Sequence, residues 1–296
     1  MLCKEDTKIF EDLRPTLLGI GYRILGTLDD AEDVTQDTFI KWVNIDRRSI
    51  KDTKAWLTTV YTRRCLDILK ASERTRLNYI GAWLPEPIHT LIANEEENNL
   101  DLSTSLKMAF ILMLDRLTPK ERAAFLLHEI FDISYSEVSK ILEINQNTCR
   151  KLVSRAKQNI DLPKKRYITP VNRQEELLNA FELAIHHGKA TKQLKTLLSN
   201  DIRLTADGGG KVPTLREILG GEKQVTTFIE NNLHKYWYKY DFIKTVLNGE
   251  YGFILKDKGH TEAAVSFVYD DDGKVKDIFI IRNPEKLKNL KQVSIN

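Results

Sequence analysis

The chain has 296 residues, of which 42% are hydrophobic and 29% charged, and 45 Lys and Arg against 42 Asp and Glu leave a formal net charge of +3. That length predicts two domains or three small ones with real cores, and the composition is that of a soluble globular protein. A balance of +3 is too small to bring nucleic acid by bulk charge, so any such surface must be a local cluster. Cys3, Cys65 and Cys149 are far apart, with no CxxC and no nearby His pairs. A disulfide framework and a zinc site are both disfavoured, and no cofactor is implied. No run of eighteen apolar residues and no signal-like N-terminal stretch occurs, so the expectation is a cytoplasmic protein that does not meet a membrane.

In chain order, Ile9 to Leu28 has helical apolar spacing and reads as one helix or two, with Pro15 tolerated near a start. Asp30 to Val43, DAEDVTQDTFIKWV, is an amphipathic helix with Ala31, Val34, Thr38, Phe39 and Trp42 on its buried side. Asp30, Glu32, Asp33, Gln36 and Asp37 crowd the other face. Asp33 and Asp37 repel at i, i+4, a cost the helix dipole does not explain for Asp37. A polar loop, Asn44 to Thr53, leads into the helix Lys54 to Ser72. Loop and helix set Arg47, Arg48, Lys51, Lys54, Arg63 and Arg64 among Trp56 and Tyr61, the mixture of cations and rings that binds single strands.

Asn78 to Leu100 reads as a linker, although Tyr79, Ile80, Trp83, Leu84 and Ile88 are too apolar for a passive tether. Leu106 to Leu117 and Pro119 to Ile130 are helices, the second capped by Thr118. Glu129 to Gln158 then breaks its helical spacing once, at Glu143 to Asn147, with Asn145 placed to cap a second helix. That is a helix-turn-helix. Its second helix carries Gln146, Asn147, Thr148, Arg150, Lys151, Arg155 and Lys157 and no acid, a face suited to phosphates and base edges.

A basic linker, Asp161 to Pro170, precedes an α+β region. Arg173 to His187 and Ala190 to Leu198 are helical, and Asp201 to Ala206 is a strand before the loop Asp207-Gly208-Gly209-Gly210-Lys211. After a helix, Lys223 to Leu233, come the strands Tyr240 to Leu247, Tyr251 to Asp257, Thr261 to Tyr269 and Val275 to Arg282. Asn248-Gly249 and Asp272-Gly273 mark hairpins, so the expected sheet is antiparallel.

DAEDVTQDTF with the AWL stretch after it, and LTPKERAAFLL, SYSEVSKIL and SRAK, resemble the second and fourth conserved regions of extracytoplasmic-function sigma factors. YIGAWLPEPI, ADGGGKVP and RNPEKL resemble the SigJ-like subgroup, whose C-terminal extension is SnoaL-like. The resemblance implies two all-α sigma domains, 1–77 and 102–160, joined by the linker 78–101. A second linker, 161–170, would lead to a SnoaL-like cone domain, 171–296. It further implies a bacterial transcription initiation factor. Asp30, Glu32, Asp33, Gln36 and Asp37 would dock on the β and β′ subunits of core RNA polymerase. Arg47, Arg48, Lys54, Trp56, Thr59, Arg63 and Arg64 would capture the minus-ten strand of promoter DNA. Gln146, Asn147, Thr148, Arg150, Lys151, Arg155 and Lys157 would read the minus-thirty-five element. The pair Arg63-Arg64 stands where many relatives have Asn-Arg, so base preference there does not carry over.

Tyr79, Trp83, Leu84, Asp207, Gly208, Gly209, Gly210 and Lys211 would regulate in cis, filling a seam with the C-terminal domain. Two alternatives remain open. One is a repressor with a ligand-sensing pocket. The other is a sigma factor fused to a SnoaL-like enzyme with a small ligand in its cone, for which Asp207, His260, Asp201 and His234 are the acid–base candidates. None has a visible acid–base partner, and the phosphate-loop spacing GxxxxGK[ST] is absent, so regulation is favoured over catalysis.

Overall fold

The computed structural model describes residues 4–46, 50–76, 79–89, 107–160 and 169–290. Contacts divide the chain into two units: Met1–Asn78, Asn99–Leu106 and Phe110–Leu162 form one, and Tyr79–Asn98, Lys107–Ala109 and Pro163–Asn296 form the other.

The first unit is helical. α1 (Lys4–Leu25) runs unbroken through Pro15, so the alternative of two helices falls away. α2 (Leu28–Asn44) and α3 (Thr53–Arg76) complete the N-terminal part. α4 (Met108–Leu114) and α5 (Pro119–Phe125) follow, and α5 widens into a π turn over Leu126–Ile130. α6 (Tyr135–Ile141) and α7 (Gln146–Asn159) are the helix-turn-helix. Side chains at the helix starts satisfy amides that would otherwise lack partners. Thr118 with Glu121 and Ser134 with Glu137 form capping boxes, and Asn145 Oδ1 accepts from the Thr148 amide at 2.8 Å. Gly21 lets α1 and α3 meet closely, because a Cβ there would strike the Tyr61 hydroxyl. That hydroxyl donates to Ala31 O at 3.0 Å.

One hydrophobic core runs from Phe10 through Trp42, Leu57 and Leu69 to Phe125, Val138, Cys149 and Val153, so the two helical regions share an interior. Three arginines join them. Arg122, 3% exposed, donates to Ile24 O at 2.7 Å, to Leu114 O at 3.0 Å and to Asp115 at 2.5 Å. Its guanidinium therefore adds a cationic donor at the last carbonyls of both α1 and α4, where the helix dipole is negative. Arg63 does the same for α6, donating to Lys140 O and Ile141 O at 2.9 Å each. Arg23 lies 5.4 Å from the centre of the Phe131 ring, and burial lowers its pKa to about 10.

The second unit opens with α8 (Val171–His187) and α9 (Lys192–Leu197). β1 (Leu198–Asp207), the short β2 (Leu219–Gly220) and α10 (Glu222–Phe228) follow, then a π turn, Ile229–Leu233, and α11 (His234–Trp237). β3 (Asp241–Leu247), β4 (Glu250–Asp257), β5 (His260–Tyr269), β6 (Val275–Ile281) and α12 (Pro284–Leu287) end it. The six strands order as β2-β1-β6-β5-β4-β3. β1 lies parallel to β6, so the sheet is mixed and not antiparallel as expected. The expected meander is β3 to β6 alone; from β1 the chain crosses through α10 to β3 at the far edge, and the meander returns to set β6 beside β1. The Asn248-Gly249 turn has positive φ at both positions, 53° and 79°, as the tight hairpin needs.

Both faces of this sheet are covered. Leu204, Ala206, Phe253, Leu255, Val265, Phe267, Ile278 and Ile280 form a core with Leu177, Phe181 and Val225 of the helices. The alternate residues Asp207, Ile254, Ala264, Phe279 and Ile281 point the other way and are also buried. Across that second face lies Tyr79–His89, the segment expected to be a linker. Its far end pairs with the β3 edge, through a His89 to Leu247 bridge and an Asn248 amide that donates to Ile88 O at 2.9 Å. Residues 90–101 and 161–168 of the two expected linkers lie outside the described residues.

Arg122→Ala removes a buried guanidinium from Ile24 O, Leu114 O and Asp115. A loss of about 3–5 kcal/mol in the unfolding free energy of the first unit is expected in urea titration, and a loss below 1 kcal/mol would contradict this role.

Candidate functional site

On α2, Glu32, Asp33 and Gln36 are exposed and Asp30 and Asp37 half-buried, giving the acidic face the sequence predicts. Thr27 donates to Asp30 across the first turn. Asp37 accepts from Arg64 Nε at 3.2 Å, which relieves the repulsion from Asp33 and ties α2 to α3. Ile40 stands 51% exposed on the same helix.

Of the expected strand-capturing group, Lys54 is exposed, while Trp56 is half-buried with its ring 5.7 Å from that of Trp42. The Thr59 hydroxyl is turned inward, donating to Ala55 O at 2.6 Å. Arg63 adds to its two carbonyl bonds an ion pair with Glu143 at 2.9 Å, so its guanidinium is engaged by the helix-turn-helix. Tyr61 has no exposed surface and cannot stack on a base. Arg47 and Arg48 lie outside the described residues.

On α7, Gln146, Asn147, Arg150, Lys151, Arg155 and Lys157 are exposed and Thr148 is half-buried. Cys149, Val153 and Ala156 anchor the opposite side. Two partners were missed in the sequence. The Arg150 guanidinium sits 5.4 Å from the centre of the Tyr135 ring, and that ring stacks on His128 at 3.7 Å. Lys157 pairs with Glu129 at 2.6 Å.

The second unit holds the most connected site, built around Asp207 at the end of β1. Its carboxylate is wholly buried and takes four hydrogen bonds. Tyr79 Oη donates at 2.6 Å and the Gly209 amide at 2.9 Å to Oδ1; the Leu84 amide at 2.9 Å and Lys286 Nζ at 2.6 Å reach Oδ2. Lys286 also donates to Leu84 O at 2.5 Å and lies 4.5 Å from the centre of a Trp83 ring and 5.3 Å from that of Tyr79. Asn283 donates to Tyr79 Oη at 3.2 Å, and burial together with Asp207 pushes the Tyr79 hydroxyl well above its usual range, which keeps it a donor. The glycines are steric necessities. A Cβ on Gly208 would meet Val212 O at 2.5 Å, one on Gly209 would strike Asn283, and one on Gly210 would press on Ile80 at 3.1 Å. Gly209 and Gly210 also need φ of 61° and 70°. Lys211 pairs with Glu285 on the surface. The regulatory group named from sequence is therefore brought together, with Lys286 and Asn283 added. Both lie in RNPEKL, a motif that carried the subgroup resemblance but gave neither residue a role.

The four acid–base candidates are scattered. Asp207 is saturated as described. His234 donates through Nδ1 to Ile185 O at 2.6 Å and packs on Gly188. Asp201 is exposed with a Ser199 hydroxyl bond that lowers its pKa, and His260 is exposed at a turn. Among the described residues no His, Cys, Asp and Glu group could hold a metal, and no helix is long and apolar enough to cross a membrane.

A helix-turn-helix with a cationic second helix, preceded by an acidic helix, is the arrangement of a DNA-binding class of protein. The family model for sigma-70 region 2 matches residues 9–75, and that for sigma-70 region 4 matches residues 107–160. The chain is 32% identical over 287 residues to the ECF RNA polymerase sigma factor SigJ of Mycobacterium tuberculosis, covering 94% of this chain and 91% of that one. The crystal structure of that SigJ superposes with a TM-score of 0.74 at 29% identity, covering 96% of this chain and 98% of that one. The ferric citrate uptake sigma factor FecI of Escherichia coli is 31% identical over 137 residues, covering 45% of this chain and 76% of FecI. The chain belongs to the ECF RNA polymerase sigma factors. That membership removes the repressor alternative.

Asp207→Asn takes away the counter-charge of a buried ammonium. A destabilisation of about 3–5 kcal/mol is expected in denaturant titration of the second unit. Asp207→Asn combined with Lys286→Met should recover part of it, and a double variant no better than the single one would contradict the pairing.

Proposed function

We propose that this sigma factor is regulated in cis by its α+β unit, through the segment that joins its two promoter-reading regions. One observation carries the reading. Tyr79–His89, which lies in sequence between region 2 and region 4, is bound to the sheet by the Asp207 carboxylate and Lys286. A tether so held restricts what the flanking regions can do, and loosening it changes their freedom without touching a DNA-contacting residue.

In this reading Asp30, Glu32, Asp33, Gln36 and Asp37 dock on core polymerase, and Lys54, Trp56, Thr59, Arg63 and Arg64 meet the minus-ten strand with Arg47 and Arg48. The exposed cations of α7 meet the minus-thirty-five duplex, with Gln146, Asn147 and Thr148 nearest the bases. Arg63 must leave Lys140 O, Ile141 O and Glu143 before it can hold DNA. Its ion pair with Glu143 is solvent-exposed and worth about 1 kcal/mol or less, so DNA phosphate can compete for it. The α+β unit restrains and tunes the two sigma regions. The protein works in the cytoplasm, where core polymerase is found.

Run-off transcription with purified core polymerase tests this. Asp33→Lys with Asp37→Lys should abolish co-purification with polymerase and promoter-dependent transcript. Trp83→Ala should change transcript yield at least severalfold while polymerase binding holds. Unchanged yield from Trp83→Ala would refute control through the segment, and polymerase binding by the double lysine variant would refute the docking face.

A further inference from the structure

The second unit carries an exposed feature that neither the sheet nor the Asp207 site uses, the sequence His234-Lys235-Tyr236-Trp237-Tyr238-Lys239-Tyr240. Its backbone is pinned. Trp237 is 2% exposed and stacks on Tyr240 at 6.4 Å. His234 is bonded to Ile185 O at 2.6 Å, and His186 donates through Nδ1 to Tyr238 O at 2.9 Å. On this fixed turn Tyr236 and Tyr238 are left 61% and 44% exposed, each with an ammonium near its ring: Lys235 at 5.3 Å from Tyr236 and Lys239 at 5.1 Å from Tyr238.

The end of α8 lies alongside and adds exposed His186, His187 and Lys189. The acids nearby are largely engaged. Glu230 accepts from the Ala190 amide at 2.8 Å, and Glu182 stands 3.8 Å from both His186 and Lys244; Asp241 is exposed. Among the described residues Lys189, Lys235 and Lys239 form no ion pair.

We infer that Lys235–Lys239, with Lys189 beside it, is a binding surface for single-stranded DNA. Two aromatic faces that remain in water are costly unless something stacks on them, and bases stack on any ring without regard to sequence. The lysines that flank the rings supply what a phosphate backbone needs. A protein partner would also use tyrosines, but the ammonium groups beside each ring, which form no ion pair among the described residues, favour a polyanion. The inference rests on the sigma-factor reading only for the source of the strand, which would be promoter DNA opened during initiation.

The test uses the full chain and a thymidylate oligonucleotide carrying 5-bromouracil. Photocrosslinks should map to a peptide containing Tyr236 and Tyr238. Tyr236→Ala with Tyr238→Ala should weaken oligonucleotide binding about tenfold or more. Lys235→Gln with Lys239→Gln should lower the slope of log affinity against log salt by roughly 1.4. Unchanged affinity and slope, with crosslinks confined to residues of the first unit, would overturn the inference. So would tyrosine variants that lose only self-association, which would mark an interface between copies. Polymerase co-purification is read separately, so failure of the sigma reading and failure of this surface are distinguishable.

Discussion

The buried pair of Asp207 and Lys286 holds together more of this molecule than any other contact. A carboxylate with no access to water is stable only if its lone pairs have donors, and here strand β1 provides the acid while three pieces of chain provide four donors. Those pieces are Tyr79 and Leu84 of the inter-region segment, the glycine loop and α12. The ammonium meets the same requirement with Leu84 O and two ring faces. Removing either charge strands the other, so the segment, the loop and α12 stand or fall as a set. The far anchor, at Ile88 and His89, lies by strand order at the opposite edge of the β1-β6-β5-β4-β3 run. The Leu84-Pro85-Glu86-Pro87 run reaches it only when extended, and its prolines favour that state.

The first unit follows a different rule, in which arginines reach helix ends from neighbouring elements, α1 from the other helical region in the case of Arg122 and α6 in the case of Arg63. Each places a guanidinium on carbonyls at helix C-termini, where the dipole is negative. Arg122 is sealed from water, whereas Arg63 and Arg64 are exposed and their ion pairs with Glu143 and Asp37 are weakly held.

Much of this was legible in the residues. Helical spacing, the Thr118 and Asn145 caps and the Asn248-Gly249 hairpin are local signals, set by nearest neighbours in sequence, and each fixed an element. The acidic face of α2 and the cationic face of α7 followed from periodicity in the same way. What the sequence hid were pairings over long separations. Nothing local says that β1 lies parallel to β6, that Tyr61 is turned inward to Ala31 O, or that Arg63 caps α6. ADGGGK and RNPEKL stood out as motifs, yet neither reveals that the acid of one neutralises the lysine of the other. Tyr135 did not stand out, because its role depends on Arg150 from the next helix.

Amide hydrogen exchange at Leu84 tests the central claim most directly, since its N–H is donated to Asp207 and to nothing in its own segment. In the full chain this amide should exchange as slowly as those of β5 and β6, and in Asp207→Asn it should exchange orders of magnitude faster while the sheet stays protected. Rapid exchange at Leu84 in the unaltered protein, beside a protected sheet, would contradict the account.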